Sequence, residues 1–508
     1  MLRFRLDDRL RFEPTDTPEW AYVLGKESLT IPGQIVCAEG EIRVRKSVGE
    51  AAALAVRADF GAAGERTLQT CLLPDREAPY SLAVELVRHR LMLILAKLED
   101  WNLTDLPADH EIMRGLDEVR ANFTRALIED EPASCQAAHE ALGRAVALSE
   151  SIVRAHAERQ LRTRIRAIGD PDRRSSVSAP MIGCLAPPDL FGEGLTRAFR
   201  GSFDFLGAPV SWNIIEPEEG KFSFVSSDKW IAWGVQEASI PVVAGPVLDF
   251  AGRSVPSWLH IWEHDFQSVR EFAFEHARRV VTRYRKAVTR WIPISGINTN
   301  EVFSFSPDQM VDMTRLAVLL TRKIHQNARV TIEVDQPFGE HVTTNHKGVT
   351  PLMYLQMVIE SGVPFESIGL RLQFGDACPG HSSRDLMQIA ALLDSFAQFD
   401  KSVHITAFGV PSAPLDANEP HADLWTEPGQ ATWLTDVARL ALSKPYVQSI
   451  CWQSLYDNTL APEFRHGGLF RADGTPKPAA RKAAELRLGI QNRNLAVTTT
   501  PAAGVVTQ

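Results

Sequence analysis

Cysteine is scarce and scattered: Cys37, Cys71, Cys135, Cys184, Cys378 and Cys451 stand far apart and form no C-x-x-C pair. That spacing excludes a zinc ribbon and offers no disulfide frame, so buried thiols in a reducing compartment are expected. Dense basic tracts are missing and the net charge is -9. A mildly acidic chain without a basic stripe is a poor partner for nucleic acid. No apolar run approaches the roughly 20 residues of a membrane span. The amino terminus, Met-Leu-Arg-Phe-Arg-Leu-Asp-Asp-Arg, carries charges where an export signal needs an apolar stretch. The expectation is a cytoplasmic protein with no membrane contact. No Gly-rich phosphate-binding fingerprint follows a strand-like run, which argues against a dinucleotide-binding sheet. Neither a metal nor a cofactor is expected.

What is present is the composition of an ordinary globular protein. Hydrophobic residues make up 44% and charged residues 23% of 508, enough chain for two or three domains with a large core. Residues 1–78 read as a small β-sandwich: Glu41-Ile-Arg-Val-Arg-Lys alternates polar and apolar, and 52–60 and 67–73 read as further strands between turns. Such a module either braces its neighbour or binds sugar. Residues 79–167 are helical in pattern, with Leu82, Leu86, Leu91, Ile94 and Leu95 near helical spacing and with Pro107 and Pro132 dividing the region into three helices. The basic run from Arg159 to Arg166 is either a solvated face or a face for a partner. Residues 168–178 read as a linker, and 491–508 as a disordered tail.

From 179 to 490 the texture changes. Short apolar runs at 241–248, 290–297, 329–334, 368–374, 403–408 and 449–455 alternate with helical stretches such as 268–285 and 307–326. This order, over this length, predicts a (β/α)8 TIM barrel following the small sandwich and the helical region. Chemistry in such a barrel sits at the carboxyl ends of the strands. Read in that order, the sequence resembles glycoside hydrolase family 10, the xylanases. The resemblance is carried by Trp212-Asn-Ile-Ile-Glu-Pro-Glu-Glu-Gly-Lys-Phe-Ser-Phe, by Val255-Pro-Ser-Trp-Leu, by His276 followed by Arg283-Tyr, by Ile405-Thr and by Trp452.

The resemblance implies a mechanism that needs two carboxylates, about 5 to 5.5 Å apart in a retaining enzyme. It places the acid at the end of the fourth strand, where Trp291-Ile-Pro-Ile-Ser-Gly holds Ser295 and Gly296 instead. It places the nucleophile after Ile405-Thr, where Ala407 stands. Its sugar-gripping lysine is Ser211, and its third-strand histidine is Pro246. Alanine cannot attack an anomeric carbon, and glycine cannot donate a proton.

Three other acids are candidates for the chemistry. Glu301 follows Asn300 but lies five residues beyond the expected place, about 16 Å away if the chain is extended. It is either folded back to the mouth or a rim glutamate. Glu333 shares a strand face with Asp335 by alternation, which would crowd two acids and raise one pKa. Glu340 follows with His341 in the next loop. The candidate ligand contacts are Trp212, Asp249, Asn300, Gln373, His404, Trp452 and Gln453; Asp376, Thr406, Tyr456 and Asp457 lie near them. Two functions stay open: a carbohydrate-binding or assembly barrel that has lost orthodox xylanase catalysis, or a hydrolase of soluble glycosides with relocated carboxylates. The expected partners are a carbohydrate and further copies of the chain.

Overall fold

The computed structural model describes residues 1–495 except 8, 11, 13–17, 19, 27–28, 47–48, 61–63, 169–177, 376–380, 415–424 and 458–464. Most of the expected linker, the end of the chain, Asp376 and Cys378 therefore lie outside the described residues.

Strands β1 (Leu2–Arg5), β2 (Ala21–Leu24), β3 (Thr30–Ile31), β4 (Gly33–Ala38), β5 (Glu41–Lys46), β6 (Ala53–Asp59), β7 (Glu65–Gln69) and β8 (Tyr80–Ser81) form two four-stranded sheets. Their orders are β4-β5-β1-β8 and β3-β2-β6-β7. In β5 the alternation reads through to burial, with Ile42 and Val44 inside and Arg45 outside. Helices α1 (Leu82–Asp100), α2 (Glu111–Ile128) and α3 (Ala133–Ala167) follow. Phe4, Val44, Val56, Leu86 and Ala141 belong to one apolar core, so sheets and helices are packed together.

The next nine strands make one parallel sheet that closes on itself. They are β9 (Met181–Leu185), β10 (Phe205–Ala208), β11 (Val242–Ala244), β12 (Leu248–Asp249), β13 (Arg290–Ser295), β14 (Arg329–Val334), β15 (Ser367–Gln373), β16 (Ser402–Gly409) and β17 (Val447–Trp452). β17 pairs with β9, and both β11 and β12 pair with β13. β11 and β12 are two halves of one stave, interrupted at Gly245 and Pro246, where proline has no N–H for the ladder. The result is an eight-stave barrel with helices between the staves, as the alternating pattern predicts. The strands are nearly continuous runs of buried residues, every position of β15 included, the pattern of a parallel sheet covered on both faces. The first two staves, β9 and β10, are short and escaped the sequence reading.

The amino-terminal third is fastened to the barrel by buried polar contacts. Arg164 of α3 donates to the carbonyls of Leu442, Lys444 and Val447 at 2.9, 2.8 and 2.7 Å. Glu150 accepts from the Leu386 N–H at 2.8 Å, at the start of helix Leu386–Ala397. Arg90 of α1 pairs with Asp385, which caps the same helix. The basic run is thus turned inward at Arg164, where three carbonyls receive one guanidinium.

Candidate functional site at the barrel mouth

The carboxyl ends of the staves enclose a cavity of about 310 Å³. Its centre is Arg371 of β15, a residue whose role the sequence reading passed over. Arg371 Nη2 donates to Asp249 Oδ2 at 2.6 Å, and its Nε donates to Glu333 Oε1 at 2.7 Å. Asp335 Oδ2 stands 3.7 Å from Nη1 of the same guanidinium and 3.6 Å from Arg253 Nη2. Arg253 also donates to Gln373 Oε1 at 2.8 Å. Inward parity along β15 brings Arg371 and Gln373 to one face, and Gly369 on that face makes room. A Cβ there would lie 2.9 Å from Thr406 Cγ2 and 3.2 Å from Glu333 Cβ.

Alternation does bring Glu333 and Asp335 to the same side, and both are buried. The expected crowding of two acids does not raise Asp335. Burial alone pushes its carboxyl up, but Arg253, Arg371 and His381 outweigh burial and hold it below the ordinary range. The sequence reading counted the acids without the arginines. Arg371 is held well above its usual value by Asp249, Glu333 and Asp335, against the opposing effect of burial. A general acid must present a proton to the leaving group. Here Glu333 Oε1 and both Asp249 oxygens are turned to Arg371.

Glu301 stands on the rim and not in the mouth. The chain turns after β13, with the Thr299 N–H donating to the Gly296 carbonyl at 3.2 Å. Glu301 then accepts from the Gly252 N–H at 2.8 Å and from Gln336 Nε2 at 3.1 Å. It ties two rim loops together and remains exposed, outside the residues that line the cavity. Asn300 is buried beside it, its amide donating to the Phe305 and Lys347 carbonyls at 3.0 and 2.9 Å. Glu340 points away from the mouth altogether, to Tyr22 Oη at 3.3 Å and to Arg384, at the seam with the amino-terminal sheet. The three candidate acids are therefore not brought together.

Trp212 and Trp452, expected as ligand contacts, do not line the mouth. Trp212 is fully buried, and its indole donates to Glu216 Oε2 at 3.1 Å. His276 Nδ1 meets the same oxygen at 3.1 Å, the Gly220 N–H donates to Glu216 Oε1 at 3.0 Å, and Trp258 donates to the Glu216 carbonyl at 3.0 Å. Trp452 is buried, with its indole donating to the Gly467 carbonyl at 3.0 Å. His404 lies toward the opposite end of the barrel, between Arg290 and Ser449. Asp249, Gln373 and Gln453 do line the mouth, with Ser211, Asn213, Thr406, Ala407 and Tyr456.

Ala407 pairs in register with Arg371 and opens onto the cavity, so only a methyl group stands there beside the guanidinium. Gly296 follows β13 with φ +68, and a Cβ there would stand 2.5 Å from the Ala251 backbone nitrogen. Only glycine fits that turn. Among the described residues no cluster of His, Cys, Asp and Glu could hold a metal ion, and no helix is long and apolar enough to cross a membrane.

No protein-family model matches the chain. Among solved structures it is similar to native xylanase 10B from Thermotoga maritima, at 16% identity, TM-score 0.48, over 65% of this chain and 99% of that one. It is similar also to xylanase 10B from Thermotoga petrophila RKU-1 in complex with xylobiose, at 16% identity, TM-score 0.48, over 62% of this chain and 95% of that one. A GH10 protein from Paenibacillus barcinonensis is similar at 16% identity, TM-score 0.47, over 64% and 97%. These structural neighbours are xylanases and a GH10 protein; the fold itself rests on the strand pairings described above.

Proposed function

We propose that the barrel mouth binds carbohydrate and does not carry out two-carboxylate glycoside hydrolysis. The observation that carries the second half is Arg371. It gathers Asp249 and Glu333 in direct ion pairs, with Asp335 next to them, while Ala407 and Gly296 stand at the strand ends where the resemblance expects a nucleophile and an acid. Binding is supported by a concave site at the carboxyl ends of the staves. Gln373, Gln453, Asn213 and Thr406 offer amides and a hydroxyl, and Leu185, Pro187, Pro209 and Ile214 offer apolar walls. The choice of carbohydrate over another polar ligand follows the resemblance to family 10, an analogy of fold and motif.

The test pairs calorimetry with product analysis on the full chain. Xylo-oligosaccharides are expected to bind, Gln453→Ala to weaken binding, and no shorter sugars to accumulate above the uncatalysed rate. Turnover of xylo-oligosaccharides or aryl xylosides that is lost in Glu333→Gln or Glu301→Gln would establish relocated catalysis and overturn the proposal. Failure of every xylo-oligosaccharide to bind would remove its carbohydrate half.

A further inference from the structure

The barrel holds a second cavity, at the amino-terminal ends of its staves, with a volume of about 460 Å³. Its walls include Arg290, Arg329, His325, Asn327 and His404. Arg290 opens β13 and points into the barrel, where Nη1 donates to Ser367 Oγ at 3.0 Å and meets His404 Nε2. His404 Nδ1 is in turn 2.7 Å from Ser449 Oγ. Burial and the Arg290 charge hold His404 well below its usual pKa, so it faces Arg290 as a neutral acceptor.

Among the described residues no carboxylate lies within ion-pair distance of Arg290 or Arg329. The nearest acid that acts on Arg290, Glu366, is engaged by Arg322 and by the Val330 N–H at 2.7 Å. Burial, and then the charge of Arg329, bring Arg290 down to about 10. A largely buried guanidinium without a counter-charge is costly, a cost that an anion would offset. Arg329, Asn327 and Thr289 are exposed, so the cavity opens to solvent at the base of the barrel. Guanidinium groups present forked donors that match phosphate oxygens. Phe205, Val243, Val288 and Met181 supply an apolar wall beside them, and the volume exceeds what a bare oxyanion needs while falling within the range of small-ligand sites.

We propose that this basal cavity binds a small organic phosphate, its phosphate on Arg290 and Arg329 and its carbon skeleton against the apolar wall. Arg290 and Arg329 stand at the opposite end of the barrel from Arg371, although the two cavities share Leu185, Gly245, Ile292 and Thr406 as walls. The experiment is calorimetry on the full chain at fixed ionic strength, with inorganic phosphate, ribose 5-phosphate and chloride as probes. Ribose 5-phosphate is expected to bind more tightly than inorganic phosphate, and chloride not to bind. Arg329→Ala, at an exposed position, is expected to weaken ribose 5-phosphate at least tenfold, and Arg290→Gln to abolish it; Gln453→Ala at the mouth leaves it unchanged. The proposal is overturned if ribose 5-phosphate does not bind, if inorganic phosphate binds as tightly, or if Arg329→Ala binds like the parent chain.

Discussion

Replacing Arg371 by methionine tests the electrostatics of the mouth. Methionine keeps most of the stem and removes the charge that faces Asp249 at 2.6 Å, Glu333 at 2.7 Å and Asp335 at 3.7 Å. All three acids are buried. Breaking a buried ion pair by removing one partner costs about 3–5 kcal/mol, because the other charge is left uncompensated. The expected loss for Arg371→Met at pH 7.5 is of that size, read from urea unfolding of the full chain by tryptophan fluorescence. Its pH dependence has a definite sign. In the parent chain Asp335 is held below its ordinary value, so it contributes stability that is present above the ordinary carboxylate range and is lost as pH falls through the depressed value. In the variant Asp335 loses one of the two arginines that offset its burial, so its carboxyl rises relative to the parent. That loss of stabilisation is full at pH 7.5 and shrinks as pH falls into the carboxylate range near ~4. The gap between parent and variant should narrow from pH 7.5 to pH 5. Adding Asp249→Asn and Glu333→Gln to Arg371→Met should recover most of the loss at neutral pH. A variant within about 1 kcal/mol of the parent at pH 7.5, or a gap that widens on acidification, refutes the claim that Arg371 neutralises the mouth.

Two further substitutions probe the packing that shapes the barrel. A Cβ on Gly183 would lie 2.3 Å from Phe205 Cζ, so Gly183→Ala should cost about 1–3 kcal/mol by overpacking. Phe205→Leu in the same chain should recover part of it, and equal cost of Gly183→Ala in both backgrounds, measured by denaturation, contradicts the contact. Glutamates at the two strand ends separate two costs: Ala407→Glu puts a fourth carboxylate beside a guanidinium that Asp249, Glu333 and Asp335 already share and should cost at least about 1 kcal/mol, while Gly296→Glu meets φ +68 at a cost of at least about 1–2 kcal/mol before any clash at Ala251. A Gly296→Glu chain as stable as its parent shows that the turn after β13 accepts a side chain.

The architecture was legible because its causes are local. Apolar runs of strand length alternate with helical runs, and that alternation over residues 179–490 points to a closed parallel barrel, which the strand pairings bear out. β9 and β10 were missed because Met181–Leu185 and Phe205–Ala208 are short and carry glycines, which weakens any strand signal. The site was legible only in part. Parity placed Glu333 with Asp335, but a charge pattern along one strand does not show what the neighbouring strand contributes. A lone arginine in the apolar run Gly369-Leu-Arg-Leu-Gln was the available signal for Arg371. Contacts such as Glu340 with Arg384, or Arg164 with three carbonyls, join segments far apart in the chain and have no local signature.

The residues that carry the resemblance and the residues that would carry catalysis occupy different places. Trp212, His276 and the Gly220 N–H converge on the Glu216 carboxylate, and Trp258 on the Glu216 carbonyl. Truncating Trp212, Glu216 or His276 leaves a buried polar group short of a partner, a cost of about 1–3 kcal/mol each, so folding alone is a sufficient demand for these side chains. Neither Ala407 nor Gly296 takes part in that network; Ala407 stands in register with Arg371, which pairs with Asp249 and Glu333. A buried arginine without those acids would be as unfavourable as the acids without the arginine. The ion-pair cluster therefore locks the mouth as a set: acids at the third and fifth staves, arginine at the sixth, and a small residue at the seventh. On the proposed reading, two-carboxylate hydrolysis at this mouth would require changing the arginine together with its partners, since a single glutamate at position 407 adds only a further carboxylate to the same guanidinium.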